Sequence, residues 1–146
     1  MSFQNIVVPV DGSETSFAAV AKATEFAKAF NSQITVVQVM VLDPYIAAEY
    51  ISATQTNDLI ERARTSIVEN LNAVKEKLSA EGINAETKLL EGQNVHAEIA
   101  KAAQDANADL IIIGSHGRTG LKKFFLGSVA QSVLGSSDTP VLIVRK

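Results

Sequence analysis

Three stretches of this chain are apolar almost without interruption: Ile6-Val7-Val8-Pro9-Val10, Leu110-Ile111-Ile112-Ile113 and Val141-Leu142-Ile143-Val144. A strand with one wet face alternates polar and apolar residues, whereas a strand covered on both faces does not. These short, β-branched runs therefore read as strands of a parallel sheet with a layer on either side. Ile34 to Val39 and Ala85 to Leu90 complete the set of strands. The latter mixes Glu86, Thr87 and Lys88 with its apolar residues and reads as an edge.

Helical periodicity fills the intervals. Ile60, Ala63, Ile67, Leu71, Val74 and Leu78 recur at spacings of three and four, and Gly82 ends the pattern. Glu14 to Phe30 carries Phe17, Val20, Ala21, Ala27 and Phe30 behind Ser13 as N-cap. Val95, Ile99, Ala102 and Ala106 follow Asn94, and a short fourth helix runs from about Ser128 to Leu134. Strand and helix in this alternation predict an α/β domain whose right-handed crossovers place helices on both faces of the sheet. The one long connection, Val41 to Asn57, holds Tyr45, Tyr50 and the Asp43-Pro44 turn signal, and reads equally as a lid or as a surface insertion.

The 146 residues suit one domain, 1–146, and 47% hydrophobic content is enough for a core of its own. A net charge of −3 supplies no basic footprint for nucleic acid or anionic membrane. The absence of cysteine removes disulfides, thiolate catalysis and cysteine-bound metals. Met1 to Asn5 has no basic n-region, and no apolar run approaches a membrane span, so the expectation is a soluble cytoplasmic protein.

Chemistry concentrates in two loops, each directly after a strong strand. The first is Pro9-Val10-Asp11-Gly12-Ser13. The second begins Gly114-Ser115-His116-Gly117-Arg118 and reaches Gly127-Ser128-Val129-Ala130, giving the spacing G-x2-G-x9-G-S. Glycines admit a ligand close to the main chain, and the N–H groups of a starting helix favour phosphate. Turn geometry explains the same glycines without a ligand, Ser128 can serve as a helix N-cap, and Asp11 can be a turn residue. The chain has neither a G-x4-G-K-[ST] loop nor a Gly-x-Gly fingerprint.

These residues resemble the universal stress protein family. Asn5 to Ser13 is similar to its first strand and loop, Gly114 to Gly120 with Gly127 to Ala130 to its nucleotide loop, and Pro140 to Val144 to its last strand. The G-x2-G-x9-G-[ST] motif is that of the ATP-binding branch. The resemblance implies a three-layer, Rossmann-like fold of the adenine nucleotide alpha hydrolase type, with five parallel strands in order 3-2-1-4-5. It also implies roles residue by residue. Asp11 and Val39 would contact the adenine and ribose end, with Pro9 and Val10 lining that pocket. Gly114, Gly117, Gly127, Ser128 and Val129 would surround the ribose and phosphates.

His116 sits in the phosphate loop, with a loop-packing role favoured over a phosphate contact. Arg118 is the preferred cation for the phosphates ahead of Lys122 and Lys123, and Asp11 is the candidate Mg²⁺ ligand. His96, early in the third helix, reads as a partly exposed surface residue. Phe124-Phe125-Leu126 reads as loop packing or dimer contact, and the last strand, Val141 to Val144, as the edge of a homodimer.

The expected activity is ATP binding by a nucleotide-dependent stress-response module. The expected cofactors are ATP and Mg²⁺, with hydrolysis at most slow, because no Walker-type lysine or catalytic pair is present. The alternative is a nucleotide-free homodimeric interaction module. A phosphoacceptor domain needs a carboxylate after strand three and an acidic pair after strand one, where only Asp11 stands. A flavin carrier needs flanking aromatics, and aromatics are 5% of the chain.

Overall fold

A computed structural model describes residues 3–41, 53–116 and 126–145. Its strands are β1 (Asn5–Pro9), β2 (Gln33–Val41), β3 (Ala85–Gly92), β4 (Leu110–Gly114) and β5 (Val141–Val144). Its helices are α1 (Glu14–Phe30), α2 (Ala53–Ala80), α3 (Val95–Asp105) and α4 (Ser128–Ser136). All strand pairings are parallel and the sheet order is β3-β2-β1-β4-β5. The chain therefore winds outward from β1 in one direction, returns, and winds outward in the other.

The uninterrupted apolar runs are uninterrupted because both faces of the central strands are covered. Ile6, Val8, Leu110 and Ile112 pack with Ala19, Val20, Ala23, Leu71, Val74 and Leu78 of α1 and α2. Val7, Ile111 and Ile113 pack with Ile99, Ala102, Ala103 and Val133 of α3 and α4. Alternate residues of one strand thus enter opposite cores, as a pleated strand requires.

The helix ends follow the expected chemistry. Ser13 caps α1 by accepting from the Ser16 N–H at 3.2 Å, and Asn94 caps α3 by accepting from the Ala97 N–H at 3.3 Å. After α2 the chain turns at Gly82, whose φ of 78° lies in the left-handed region, and the Ile83 N–H returns to the Leu78 carbonyl.

Two expectations are corrected. The apolar pattern of α1 puts Phe17, Ala21 and Phe30 on its core face, yet Ala21 is exposed and the phenylalanines are 40% and 46% exposed. Thr15, Ser16, Ala19, Val20, Ala23 and Ala27 face inward instead. Small residues let α1 lie close to the sheet. Phe17 carries the Lys77 ammonium over its ring, and Phe30 joins Phe3 and Phe26 in an aromatic cluster, edge-on to Phe3 and tilted against Phe26.

The connection read as Val41 to Asn57 is shorter than that, because α2 already begins at Ala53. Its described residues from Thr54 to Ser66 are mostly exposed, Ala63 of the expected apolar face among them; from Ile67 onward α2 packs on the core, with Leu71, Val74 and Leu78 enclosed. Tyr45 and Tyr50 lie outside the described residues. Among the described residues no helix is long and apolar enough to cross a membrane.

The two sheet edges differ. β3 shows Glu86, Lys88 and Glu91 to solvent, whereas β5 leaves Val141, Leu142 and Ile143 only partly covered. Charge on an edge strand discourages pairing with another chain, and an apolar edge invites it.

Candidate functional site

The sheet order reverses between β1 and β4, and open α/β sheets bind ligands beyond the carboxyl ends of strands at such a point. Both loops singled out in the sequence leave the sheet there. β1 and β4 are paired through Ile6 with Leu110 and Val7 with Ile111, so Asp11 to Ser13 and Gly114 to His116 emerge side by side.

The first loop is a tight turn. The Asp11 carboxylate accepts the Ser13 N–H at 2.9 Å, and Gly12 between them has φ of 82°, a conformation glycine adopts without strain. One Asp11 oxygen is thus committed to the turn, the role open to any Asp-Gly-Ser. Pro9 and Val10 are buried, and Val10 points into the core beneath α1 and α2. Val39 and Val129 lie on the opposite face, among the residues packed toward α3 and α4. The structure therefore separates Val10 from the other two, and since the Val10 N–H donates to the Val37 carbonyl at 2.8 Å, only its carbonyl is left for a contact in the crevice.

The second loop is held from three sides. The Ser115 N–H donates to the Val144 carbonyl at 2.8 Å, the Ser115 carbonyl accepts the Gly127 N–H at 2.6 Å, and the His116 carbonyl accepts the Thr15 hydroxyl. Gly114 lies against the start of α1: a Cβ there would stand 2.9 Å from the carbonyl carbon and oxygen of Thr15. Gly127 lies against the loop itself, where a Cβ would stand 3.0 Å from His116 Cα and 3.2 Å from the Ser115 oxygen. Each of these glycines has a packing reason inside the chain. His116 is half-buried, and its Nδ1 is enclosed without a hydrogen-bond partner among the described residues.

Ser128 was given the helix cap as its ligand-free role, and here the structure differs. The N-cap of α4 is Gly127, which makes no side-chain cap hydrogen bond, and Ser128 is exposed as the first helical residue. Glycine has no side chain with which to cap the first N–H groups of α4, and free N–H groups at a helix start suit solvent or an anion. Gly117, Arg118, Lys122, Lys123, Phe124 and Phe125 lie outside the described residues. His96, expected as a partly exposed surface residue, is partly exposed at the start of α3.

Thr15 and Ser115 were not anticipated. Both are buried polar residues, and nothing in the spacing of a single sequence marks a threonine in the first turn of a helix as a contact to a distant loop. Among the described residues no group of three or more His, Asp or Glu side chains could hold a metal ion. Any cation at Asp11 would therefore draw its remaining ligands from phosphate oxygens and water, as Mg²⁺ commonly does. Glu91, at the end of β3, is taken by Arg64 at 2.7 Å and lies on the sheet edge, so it forms no acidic pair with Asp11.

The model of the universal stress protein family matches residues 2–145. The chain belongs to the universal stress protein family. Universal stress protein MJ0531 of Methanocaldococcus jannaschii is 34% identical over 99% of this chain and 83% of its own length. Among solved structures, MJ0577 superposes with a TM-score of 0.87 at 29% identity, covering 100% of this chain and 98% of that one. A universal stress protein in complex with cAMP superposes at 0.72 with 25% identity, covering 99% and 98%. The five-stranded sheet of this universal stress protein and its order are thus those of the family fold.

Proposed function

We propose that this chain binds ATP with Mg²⁺ in the crevice beyond β1 and β4 and serves as a nucleotide-dependent stress-response module of the ATP-binding branch. The observation that carries this reading is the start of α4: a glycine at the N-cap, an exposed serine beside it, and the Asp11 turn across the strand reversal. The cAMP complex of a related protein supports an adenine nucleotide as the ligand. In this reading Gly114, Gly117, Gly127, Ser128 and Val129 surround the ribose and phosphates. Asp11 and Val39 stand at the adenine and ribose end, with the main chain of Pro9 and Val10. Asp11 supplies a protein carboxylate for Mg²⁺, which would neutralise phosphate charge. His116 and Arg118 border the phosphates. The described carboxylates offer no paired catalyst, so turnover is slow at most.

The nucleotide-free interaction module is favoured by one fact, that packing alone accounts for Gly114 and Gly127. Calorimetric titration of Mg-ATP into nucleotide-stripped protein separates the two. One saturable site per chain supports the proposal, and no heat at two temperatures rejects it. Ser128→Ala removes a hydroxyl with no capping duty and is expected to weaken binding by about 10-fold or more, one hydrogen bond to a charged group, with little change in stability.

The homodimer belongs to the same proposal. Pairing through β5 would cover Val141, Leu142 and Ile143, and Leu134 of α4 is 52% exposed. Leu142→Asp is expected to give a monomer in sedimentation experiments at concentrations where the parent chain sediments as a dimer. An unchanged dimer would place the interface elsewhere.

A further inference from the structure

Thr15 is 1% exposed in the first turn of α1, yet its hydroxyl serves the opposite loop. Its Oγ1 hydrogen-bonds the His116 carbonyl oxygen and lies 3.3 Å from Ser13 Oγ. A hydroxyl has one proton, and a carbonyl only accepts, so Thr15 donates to His116 and must accept from Ser13. Ser13 in turn accepts from the Ser16 N–H. The result is a directed chain, Ser16 N–H to Ser13 Oγ, Ser13 O–H to Thr15 Oγ1, Thr15 O–H to His116 oxygen, in which each bond polarises the next.

This chain ends on the segment that carries α4. Ser115 and His116 form the surface against which Gly127 rests, and the Gly127 N–H donates to Ser115. The turn after β1 and the helix start after β4 are therefore fixed to each other through one buried hydroxyl. We infer that Thr15 is a positioning residue: it touches no ligand, and its hydroxyl holds the Ser115–His116 main chain so that Gly127 and the N-terminus of α4 stand in register with the Asp11 turn. The inference rests on the nucleotide reading of the same crevice. Its physical content is preorganisation, since groups held in place before binding need no ordering when the ligand arrives.

Two substitutions divide the hydroxyl from the packing. Thr15→Val keeps the volume and loses the donor, while Thr15→Ser keeps the donor and loses the methyl group. A merely structural Thr15 makes affinity follow stability across the pair, whereas a positioning Thr15 makes affinity follow the hydroxyl. The measurements are Mg-ATP affinity by calorimetry, the urea midpoint, and amide hydrogen exchange at Gly127 without ligand.

In Thr15→Val the expected results are an affinity about 5- to 10-fold weaker and Gly127 exchange accelerated about 10-fold. In Thr15→Ser both stay within about 2-fold of the parent while the midpoint falls. Thr15→Ala replaces the valine variant should that not fold. Unchanged Gly127 exchange in the hydroxyl-free variant, or affinity that follows the urea midpoint, overturns the inference. Absence of ATP binding by the parent chain defeats the nucleotide reading alone. Accelerated Gly127 exchange then still supports the Thr15 strut, and unchanged exchange removes it.

Discussion

Replacing Gly114 with valine is expected to destabilise the protein by about 3 kcal/mol, the upper part of the range for forcing methyl groups into a packed site. The reason is the identity of the atoms in the way. A Cβ at residue 114 would stand 2.9 Å from Thr15 C and O and 3.0 Å from Thr15 Cβ. Two of these are main-chain atoms in the first turn of α1, so relief requires moving a helix, not a side chain. The displacement also strains the Thr15 hydrogen bond to His116. Thermal unfolding should shift down by roughly 6–12 °C, as expected for a chain of this length. A midpoint within about 2 °C of the parent would show that α1 does not approach β4 as closely as the structure has it. Gly135→Ala is the matching control. Nothing lies within 4 Å of its Cβ position and it sits in α4, so it should be neutral or stabilising by up to about 1 kcal/mol.

That pair of glycines marks the boundary of what a sequence alone discloses here. Both are written with the same letter in the same half of the chain, and the difference between them is a neighbour more than 90 residues away for one and open space for the other. Elements whose cause is local were legible. α1 begins at Glu14 because Ser13 caps it and ends at Phe30 because Asn31 turns left-handed, its N–H on the Ala27 carbonyl, and β4 is plain from its aliphatic run between turn residues. The apolar period of α2 starts at Ile60, before its packing on the core begins at Ile67, and Ala63 within that period is exposed. The turns before that carry exposed residues whose helical state is imposed by continuation, not by a core.

The site follows the same division. The two loops were recognisable because turn residues directly after buried strands advertise themselves, and the strand reversal that brings them together follows from the order of elements implied by the family resemblance. The struts between the loops were not legible, because hydrogen bonds such as Thr15 to His116 join residues about a hundred positions apart. Ser128 shows the distinction at one residue. Sequence pattern offered it a cap role, but only the backbone reveals that Gly127 occupies the cap and Ser128 the first helical position.

Gly127→Leu is expected to weaken Mg-ATP binding at least about 100-fold, about 2.7 kcal/mol, while unfolding shifts by less than about 4 °C. Backbone conformation is not the reason: φ of −64° and ψ of 158° suit any residue. Space is the reason. The new Cβ would press on His116 Cα at 3.0 Å and the Ser115 oxygen at 3.2 Å, and the rest of the leucine would need room in the same direction or over the helix start. The least costly response is for the start of α4 to lift away, which breaks the 2.6 Å bond from Gly127 N–H to Ser115. Ala130 and Val133 keep the helix body on the core, so the fold persists. Gly127→Ala needs only a few tenths of an ångström and should fall between the parent and the leucine variant, losing about 10-fold. The graded series separates the two explanations of the glycine. If packing alone required it, stability would fall from alanine to leucine and affinity would follow only in proportion. If the N-terminus of α4 receives phosphate, affinity falls steeply while the unfolding temperature hardly moves, because the displaced groups are those that meet the ligand and not those that hold the core.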